Sequence, residues 1–341
     1  MMDLRPGRNT VVARLCVILL IGVMIGAWGV TRLFSTQDHA TSPKTVLIQP
    51  GSSTSQIAAL LQREGIVKSS FLFLLAVKLK GADGKLQAGE YQLGQEASMF
   101  RLIEKLLRGQ PPSRTVTVKE GLTVVEIAEV IEQNGLGKRE EFIKAASDPS
   151  LIGDFLPSGF KGEYPLEGYL FPDTYRIDEQ SSERQIVETM VARFRQVFTE
   201  DLRRRAQELN MTPHEVITLA SIIEKEAVVD WERAKISGVF HNRLKLGMKL
   251  DADPTVLYAL KKRGGVPTLA DLNVNSPYNT YKVAGLPPGP ICSPGLASIR
   301  AALYPETHSY LYFVSKNDGT HEFNSSYAAH LRSVRKYQSA R

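Results

Sequence analysis

Cysteine is scarce in this chain of 341 residues, which contains only Cys16 and Cys292. The two lie far apart, and Cys16 sits inside an apolar run, so a disulfide framework is excluded. The six histidines form no HExxH motif and no compact Cys/His cluster, which argues against a metal centre. A GxSxG nucleophile elbow and a glycine-rich phosphate loop are also missing. We therefore expect no metal and no cofactor, and a fold that rests on hydrophobic cores.

A strong charge of one sign is missing as well. The net charge is +6 at pH 7, and acidic and basic residues are interleaved. The densest basic stretch, over residues 193–205, alternates with apolar residues and indicates the exposed side of an amphipathic helix. We assign it to one long helix over residues 182–208. Nucleic acid is therefore not an expected partner, whereas an anionic polymer or a membrane surface is compatible with the charge.

One long apolar run is present, over residues 15–31, and it contains no charged side chain. Its length is near the lower limit for a membrane-spanning helix. Arg5, Arg8 and Arg14 precede it against the single acid Asp3, so the positive-inside rule places the N-terminus in the cytoplasm. A cleaved signal peptide is the alternative, but the run is longer than a usual signal core and no convincing cleavage site follows it. We expect a single-pass anchor, with the rest of the chain outside the cytoplasm.

An internal repeat follows the anchor. Residues 46–67 and 116–137 share glycine and apolar positions at an offset of 70 residues (116 − 46 = 70). Each copy predicts a strand, a glycine turn, a helix and a terminal glycine. The first copy resembles LysM domains, and LysM-like modules bind glycans that contain N-acetylglucosamine. Because this copy has no aromatic platform in its turn and helix, similarity of fold is favoured over sugar binding.

The most informative helix is predicted after Thr212, a capping residue, and Pro213, which suits the first helical position. Its apolar stripe consists of Val216, Leu219, Ala220, Ile223 and Ala227. On a helical wheel at about 100° per residue, Glu226 falls inside this stripe, between apolar neighbours. Glu224 falls at the edge of the stripe, and Lys225 points towards water. One carboxylate is therefore expected against hydrophobic side chains at the end of a helix.

Burial disfavours the charged form of a carboxylic acid and raises its pKa. Glu226 can then hold a proton near neutral pH and donate it to a leaving oxygen, which is what glycosidic cleavage requires. Two structural interpretations compete with this one. In the first interpretation, Glu226 is a surface residue beyond a frayed helix end. In the second, it is the partner of a buried arginine such as Arg243. Glu224 is the second choice for the acid.

The segment SIIEKEA, residues 221–227, resembles the helix end of lytic transglycosylases and goose-type lysozymes, where an apolar helix ends in a glutamate followed by a small residue. More specifically, the chain is similar to the endolytic murein transglycosylases of the YceG-like family, also called peptidoglycan terminases. Beyond the anchor and the LysM-like region, the matching segments are LEGYLFPDTY (166–175), VFHNR (239–243), DPTV (253–256), YNTY (278–281), GLPPG (285–289), and YLYFV (310–314) with Phe323 and Asn324. His241 departs from the more apolar residue of the family.

This resemblance implies cleavage of the bond between N-acetylmuramic acid and N-acetylglucosamine within nascent peptidoglycan strands, which leaves 1,6-anhydro ends and terminates strand elongation. It implies that Glu226 is the catalytic acid and that the YNTY segment forms a cleft wall, where rings stack on sugar and an amide bonds the N-acetyl arm. The candidate substrate-binding residues are Tyr278, Asn279, Tyr281, His321, Asn324 and Glu167. A structural role is at least as well supported for His321.

Two other functions remain open. A lysozyme-type muramidase usually needs a second carboxylate, for which Glu224 and Glu167 are candidates. A non-catalytic, membrane-tethered glycan binder could instead act as a scaffold for wall synthesis. The expected partners are peptidoglycan strands and peptidoglycan synthases, and the expected location is the bacterial inner membrane, with the catalytic domain in the periplasm.

The predicted fold class is α+β, with mixed α/β secondary structure in the catalytic domain. The expected segments are a cytoplasmic tail (1–14), a transmembrane helix (15–34), a linker (35–44), a LysM-like domain with the internal repeat (45–138), a connecting aromatic and helical segment (139–208) and a catalytic domain (209–341).

Overall fold

The computed structural model describes residues 44–94, 96, 98–109, 113–160 and 162–338. These residues form two compact units, which divide between Pro112 and Ser113. The apolar run over residues 15–31 lies outside the described part, so the anchor stays a prediction. In the part that is described, no helix is both long enough and apolar enough to cross a bilayer.

In the described part of the first unit, a two-stranded antiparallel sheet is combined with three helices. Its elements are β1 (Lys44–Ile48), α1 (Thr54–Arg63), α2 (Ser70–Leu79), β2 (Gly89–Leu93) and α3 (Met99–Arg108). The register of β1 and β2 pairs Lys44 with Leu93 and Ile48 with Gly89. A serine hydroxyl caps the start of each helix by accepting a backbone N–H, which satisfies a donor that the helix itself leaves free. Alternate residues of both strands are buried, and they pack with the helices into one core.

The second unit is mostly helical and contains two further antiparallel strand pairs, β3 with β4 and β5 with β6. Its elements are β3 (Ser113–Thr117), α4 (Val124–Gln133), α5 (Arg139–Ala146), β4 (Thr174–Asp178), α6 (Glu183–Val197), α7 (Glu200–Glu208), α8 (Pro213–Glu226), α9 (Arg233–Lys245), α10 (Asp253–Ala259), α11 (Leu296–Leu303), β5 (Tyr312–Ser315), β6 (His321–Asn324) and α12 (Tyr327–Gln338). The chain is therefore mixed α+β, as predicted.

Two boundaries differ from the sequence analysis. The division between the units falls after Pro112, so the second copy of the repeat lies in the second unit, where β3 pairs with β4. The long helix predicted over residues 182–208 is two helices, because Phe198 leaves the helical conformation and Thr199 is extended. No glycine or proline marks this break, and the amphipathic pattern continues through it, so the sequence pattern alone missed it.

Helix α8 occupies the centre of the second unit. All of its side chains from Val216 to Ile223 are buried, not only the predicted stripe. Helices α7, α9, α10 and α11 all contact it. The proline- and glycine-rich loop over residues 285–295 also packs on it, and the Ile291 N–H donates to the Ser221 hydroxyl at 3.0 Å. Enclosure by separate segments explains why a helix this short is apolar around its circumference.

The aromatic segment over residues 166–175 is part of the same core. Tyr169, Phe171 and Tyr175 are at most 7% exposed, so they serve as packing residues rather than as an open sugar platform. The Tyr169 hydroxyl lies 2.7 Å from His214 Nδ1, and His214 Nε2 lies 2.8 Å from the Pro288 carbonyl. A carbonyl only accepts, so Nε2 carries the proton and neutral His214 accepts from Tyr169. These bonds hold the start of α8 in place.

Candidate active site

Helix α8 presents Glu226 at its C-terminal end. At the other end Thr212 and Glu215 form a capping box, with the Glu215 N–H donating to the Thr212 hydroxyl and the Thr212 N–H donating to the Glu215 carboxylate. Ala227 follows in an extended conformation and stops the helix directly after Glu226. Glu226 is therefore the last residue of a rigid, enclosed element.

The environment of Glu226 favours its protonated form. Burial, which is the largest cause, and the negative charge of Asp253 together raise its pKa from the ordinary 4.5 to about 8, against the opposing positive charge of Arg243. The side chain is only partly accessible to solvent. Its carboxyl group has no hydrogen bond or ion pair to any residue in the described ranges. At neutral pH this carboxylic acid holds a proton that no neighbouring side chain engages.

Asp253 lies close enough to Glu226 for its charge to act on the pKa of Glu226. Asp253 begins α10, and its Oδ1 accepts from the Tyr281 hydroxyl at 2.6 Å. The hydroxyls of Thr255 and Thr280 lie 2.9 Å apart beneath this pair, and both threonines are buried. Burial and the adjacent Asp253 charge raise the pKa of Tyr281, and the charge of Glu226 contributes in the same direction. The phenol therefore stays protonated and keeps Asp253 oriented.

Arg243 on α9 supplies a fixed positive charge near Glu226 without an ion pair to it. Its Nε donates to the Leu311 carbonyl at 2.6 Å, and its Nη1 donates to the Leu250 carbonyl at 2.7 Å. Nη1 also contacts the Asp251 carboxylate at 3.2 Å. These bonds lock the guanidinium in place. The interpretation in which Glu226 is the direct partner of Arg243 is therefore wrong.

Glu224, the second choice for the acid, is committed to a structural ion pair. Its Oε1 accepts from Arg233 Nη2 at 3.0 Å, and its Oε2 accepts from the Gly295 N–H at 2.9 Å. The side chains of Glu224 and Arg233 are 6% and 10% exposed. The pair ties the end of α8 to the starts of α9 and α11, and it leaves Glu224 without a free carboxylate oxygen for substrate.

The three predicted residues of the YNTY segment have different environments. Tyr278 is half-buried, packs on Tyr258 with ring centroids 5.0 Å apart, and has a pKa raised to about 12 by burial. Asn279 is fully buried, and its amide is used internally: Nδ2 donates to the carbonyls of Leu272 and Val274, and Oδ1 accepts from the backbone. Its geometry argues against the expected contact with an N-acetyl arm. Tyr281 is close enough to Glu226 for the charge of Glu226 to contribute to its raised pKa.

Glu167 is buried in the core, with 2% of its surface exposed. Its Oε1 accepts from the Val124 N–H at 3.0 Å at the start of α4, and its Oε2 accepts from the Tyr258 hydroxyl at 3.2 Å. Burial raises its pKa to about 8. Both oxygens are used and solvent does not reach them, so this geometry argues against the expected substrate contact and against a second catalytic acid.

The two candidates on β6, His321 and Asn324, also form hydrogen bonds within the protein. His321 Nδ1 lies 2.7 Å from the carboxylate of Glu232, and Glu232 is fully buried. Asn324 is 9% exposed, and its Oδ1 accepts from the Ser333 hydroxyl at 3.2 Å. Its Nδ2 is buried with no hydrogen-bond partner among the described residues. Of the two, Asn324 retains an unused donor.

The chain matches known proteins over most of its length. The model of the YceG-like family matches residues 46–336. The chain belongs to the YceG-like family. An endolytic murein transglycosylase of Bacillus subtilis is 35% identical over 326 residues, which are 92% of this chain and 90% of that protein. One from Streptococcus pneumoniae is 34% identical over 298 residues, 80% of this chain and 54% of its own length.

A solved structure supports the fold of this YceG-like chain. The 2.6 Å crystal structure of a yceG-like protein from Listeria monocytogenes superposes with a TM-score of 0.59 at 34% identity. The superposition covers 85% of this chain and 99% of the other. The shared architecture therefore extends over nearly the whole solved chain.

Two features that bear on the site are assigned no role by the sequence analysis. Asp253 lies in the DPTV segment, and a carboxylate in a segment shared with the family was a signal. Trp231 and Val228, which follow Glu226 closely, are 65% and 71% exposed. Trp231 is one of only two tryptophans in the chain, and an exposed indole suits stacking on a sugar ring. Across the described ranges, no cluster of His, Cys, Asp or Glu is arranged to bind a metal ion.

Proposed function

We propose that this chain is an endolytic murein transglycosylase, the activity named for its relatives in Bacillus subtilis and Streptococcus pneumoniae. The observation that carries the proposal is Glu226. It combines a pKa of about 8, a position at the end of a rigid buried helix, and a carboxyl group with no partner among the described residues. A protonated, unengaged carboxylic acid is what protonation of a glycosidic oxygen requires.

Glu226 alone donates and then recovers the proton that the reaction requires. Protonated Glu226 donates its proton to the oxygen that joins N-acetylmuramic acid to N-acetylglucosamine, and the bond from the muramyl anomeric carbon to that oxygen breaks. The resulting carboxylate then accepts the proton of the muramyl 6-hydroxyl as its oxygen bonds to the anomeric carbon. The products are a 1,6-anhydro end and a free sugar hydroxyl. Glu226 is protonated again, and no water is consumed.

The other candidate carboxylates are held in hydrogen bonds and ion pairs, which favours this intramolecular route. Hydrolysis with two carboxylates needs a second, accessible acid or nucleophile. Glu224 is held by Arg233, and both oxygens of Glu167 are used within the core. The remaining carboxylate is Asp253, which makes lysozyme-type hydrolysis the nearest alternative. In the transglycosylase, we assign Asp253 to keeping Glu226 protonated and to stabilising positive charge that develops at the anomeric carbon.

The substrate contacts are a second part of the proposal. We assign Tyr281, Tyr278 and Trp231 to stacking against sugar rings. The buried amide of Asn324 is assigned to positioning β6 beside the site. Asn279, Glu167 and Glu224 are assigned to shaping the site. The buried Glu232 holds His321 in place, and His321 is assigned to positioning β6.

The cellular setting is the third part. We place residues 15–34 across the bacterial inner membrane, which leaves the site on the periplasmic side, where nascent glycan strands emerge beside the synthases. The support is the uncharged apolar run and the arginines that precede it. The LysM-like first unit then acts as a spacer or a glycan contact between the membrane and the catalytic unit.

The deciding experiment is a digestion of purified, uncrosslinked murein strands followed by mass analysis of the products. Anhydro ends within the strand are expected from the wild type and no cleavage from Glu226→Gln. The exposed Glu140→Gln provides a matched control that should retain full activity. Reducing ends would identify a hydrolase, binding without cleavage would identify a scaffold, and full turnover by Glu226→Gln would refute the assignment of the acid.

A further inference from the structure

Helix α2 of the first unit is apolar on two opposite sides. The side chains of α2 that enter the core are Phe73, Ala76 and Val77. On the other side Phe71, Leu75 and Leu79 are 71%, 39% and 67% exposed. These three residues are spaced by four, so they span an arc of only about 80° on the helix surface. We call them the α2 apolar stripe.

This exposure needs an explanation, because a helix that is apolar around its circumference is normally buried. A short row of exposed phenylalanine and leucine side chains raises the free energy of the protein in water unless another surface covers it. Among the described residues of the first unit, none covers the stripe.

The sequence around the stripe is basic. Residues 68–85 contain four lysines and a single acid, Asp83. One of the lysines, Lys80, forms an ion pair with Glu104 of α3. Lys78 lies about 20° from Phe71 on the helix and beside Leu75, and it is exposed. An exposed apolar strip with lysines at its edge is the pattern of a helix that lies in the interface of a membrane with anionic lipids.

The sequence also holds this unit close to the bilayer. The proposed anchor ends at residue 34 and β1 begins at Lys44, which leaves nine residues between them (43 − 34 = 9). Fully extended, they reach about 30 Å, and a compact unit of this size is also about 30 Å across. The tether is therefore short enough to keep the first unit at the membrane surface.

We propose that the α2 apolar stripe rests on the outer surface of the membrane that anchors the chain. Phe71, Leu75 and Leu79 enter the boundary between headgroups and acyl chains, while Lys78 and its basic neighbours contact anionic phospholipid headgroups. This inference rests on the membrane anchor proposed above. Its consequence is that the first unit has a fixed orientation at the membrane instead of tumbling on a tether.

The test uses the full chain in vesicles of phosphatidylcholine and phosphatidylglycerol, with Cys16→Ser and Cys292→Ala to remove native thiols. A bimane probe is attached at Leu75→Cys, or at the exposed Ala59→Cys on α1 as the matched control, and lipids with brominated acyl chains serve as quenchers. We expect about a twofold loss of fluorescence at position 75, little change at position 59, and weaker quenching at position 75 when phosphatidylglycerol is omitted.

Flotation of the same vesicles distinguishes failure of the membrane anchor from failure of the docking of α2. A chain that does not float has lost the proposed anchor. A chain that floats while position 75 is quenched no more than position 59 keeps its anchor and overturns the docking of α2, whether the stripe is then covered by a second copy, by another protein or by solvent.

Discussion

The pH dependence of murein cleavage gives the sharpest test of the site, because it measures the protonation of Glu226 directly. Burial and the Asp253 charge raise the pKa of this carboxyl group to about 8. The protonated form starts the reaction, so kcat/KM should be level through neutral pH and fall as the pH rises above 8. About nine tenths of Glu226 is protonated at pH 7 and about one tenth at pH 9, so kcat/KM should drop roughly tenfold between them.

A carboxyl group with an ordinary pKa would behave differently. With the pKa at 4.5, only about one molecule in 300 would carry the proton at pH 7, and the decline would begin near pH 4.5. The assay is the initial rate of release of soluble fragments from dye-labelled murein between pH 4 and pH 10. A basic limb that begins near 4.5 would refute the argument that burial controls this group.

The variant Asp253→Asn isolates the electrostatic part of the effect. It removes a negative charge that raises the pKa of Glu226 and leaves the positive Arg243 in place, so the basic limb should move to lower pH. Tyr281→Phe is the matched control, since it removes the hydrogen bond to Asp253 but keeps the charge. An unchanged limb in Asp253→Asn would mean that Asp253 does not act on the catalytic acid.

Three further predictions concern stability. Glu224→Gln leaves the buried Arg233 without its main partner and should lower the free energy of unfolding by about 3 kcal/mol in urea titrations; an unchanged value would show that the pair is not structural. Asn279→Ala strands two carbonyls and an N–H, and should cost about 2–3 kcal/mol in the same assay, whereas intact stability with weaker substrate binding would restore a ligand role. Glu167 and Glu226 hold protons in the native state that the unfolded chain releases above pH 4.5, so the free energy of unfolding should fall as the pH rises towards 8. Glu226→Gln should reduce the slope of the free energy of unfolding against pH by up to about 1.4 kcal/mol per pH unit. Equal slopes in the wild type and the variant would exclude a raised pKa at Glu226.

Features set by short-range pattern could be predicted from the sequence. The cap and proline at the start of α8 and the apolar side on which Glu226 lies depend on residues a few positions apart. Where no local signal exists, the prediction failed. The break at Phe198 and Thr199 carries neither glycine nor proline, so a continuous amphipathic pattern concealed it.

The roles of the individual site residues depended on tertiary structure. The periodicity of α8 places Glu226 and Glu224 near the same helix end. It does not show that Arg233 and Gly295 donate hydrogen bonds to Glu224, or that the charges of Asp253 and Arg243 act on Glu226. The pKa of a carboxyl group depends on the water removed and the charges brought near it, and these come from segments distant in sequence. The sequence by itself therefore determined which acid could lie among apolar side chains, and the packing of the second unit decided which one was left protonated and free.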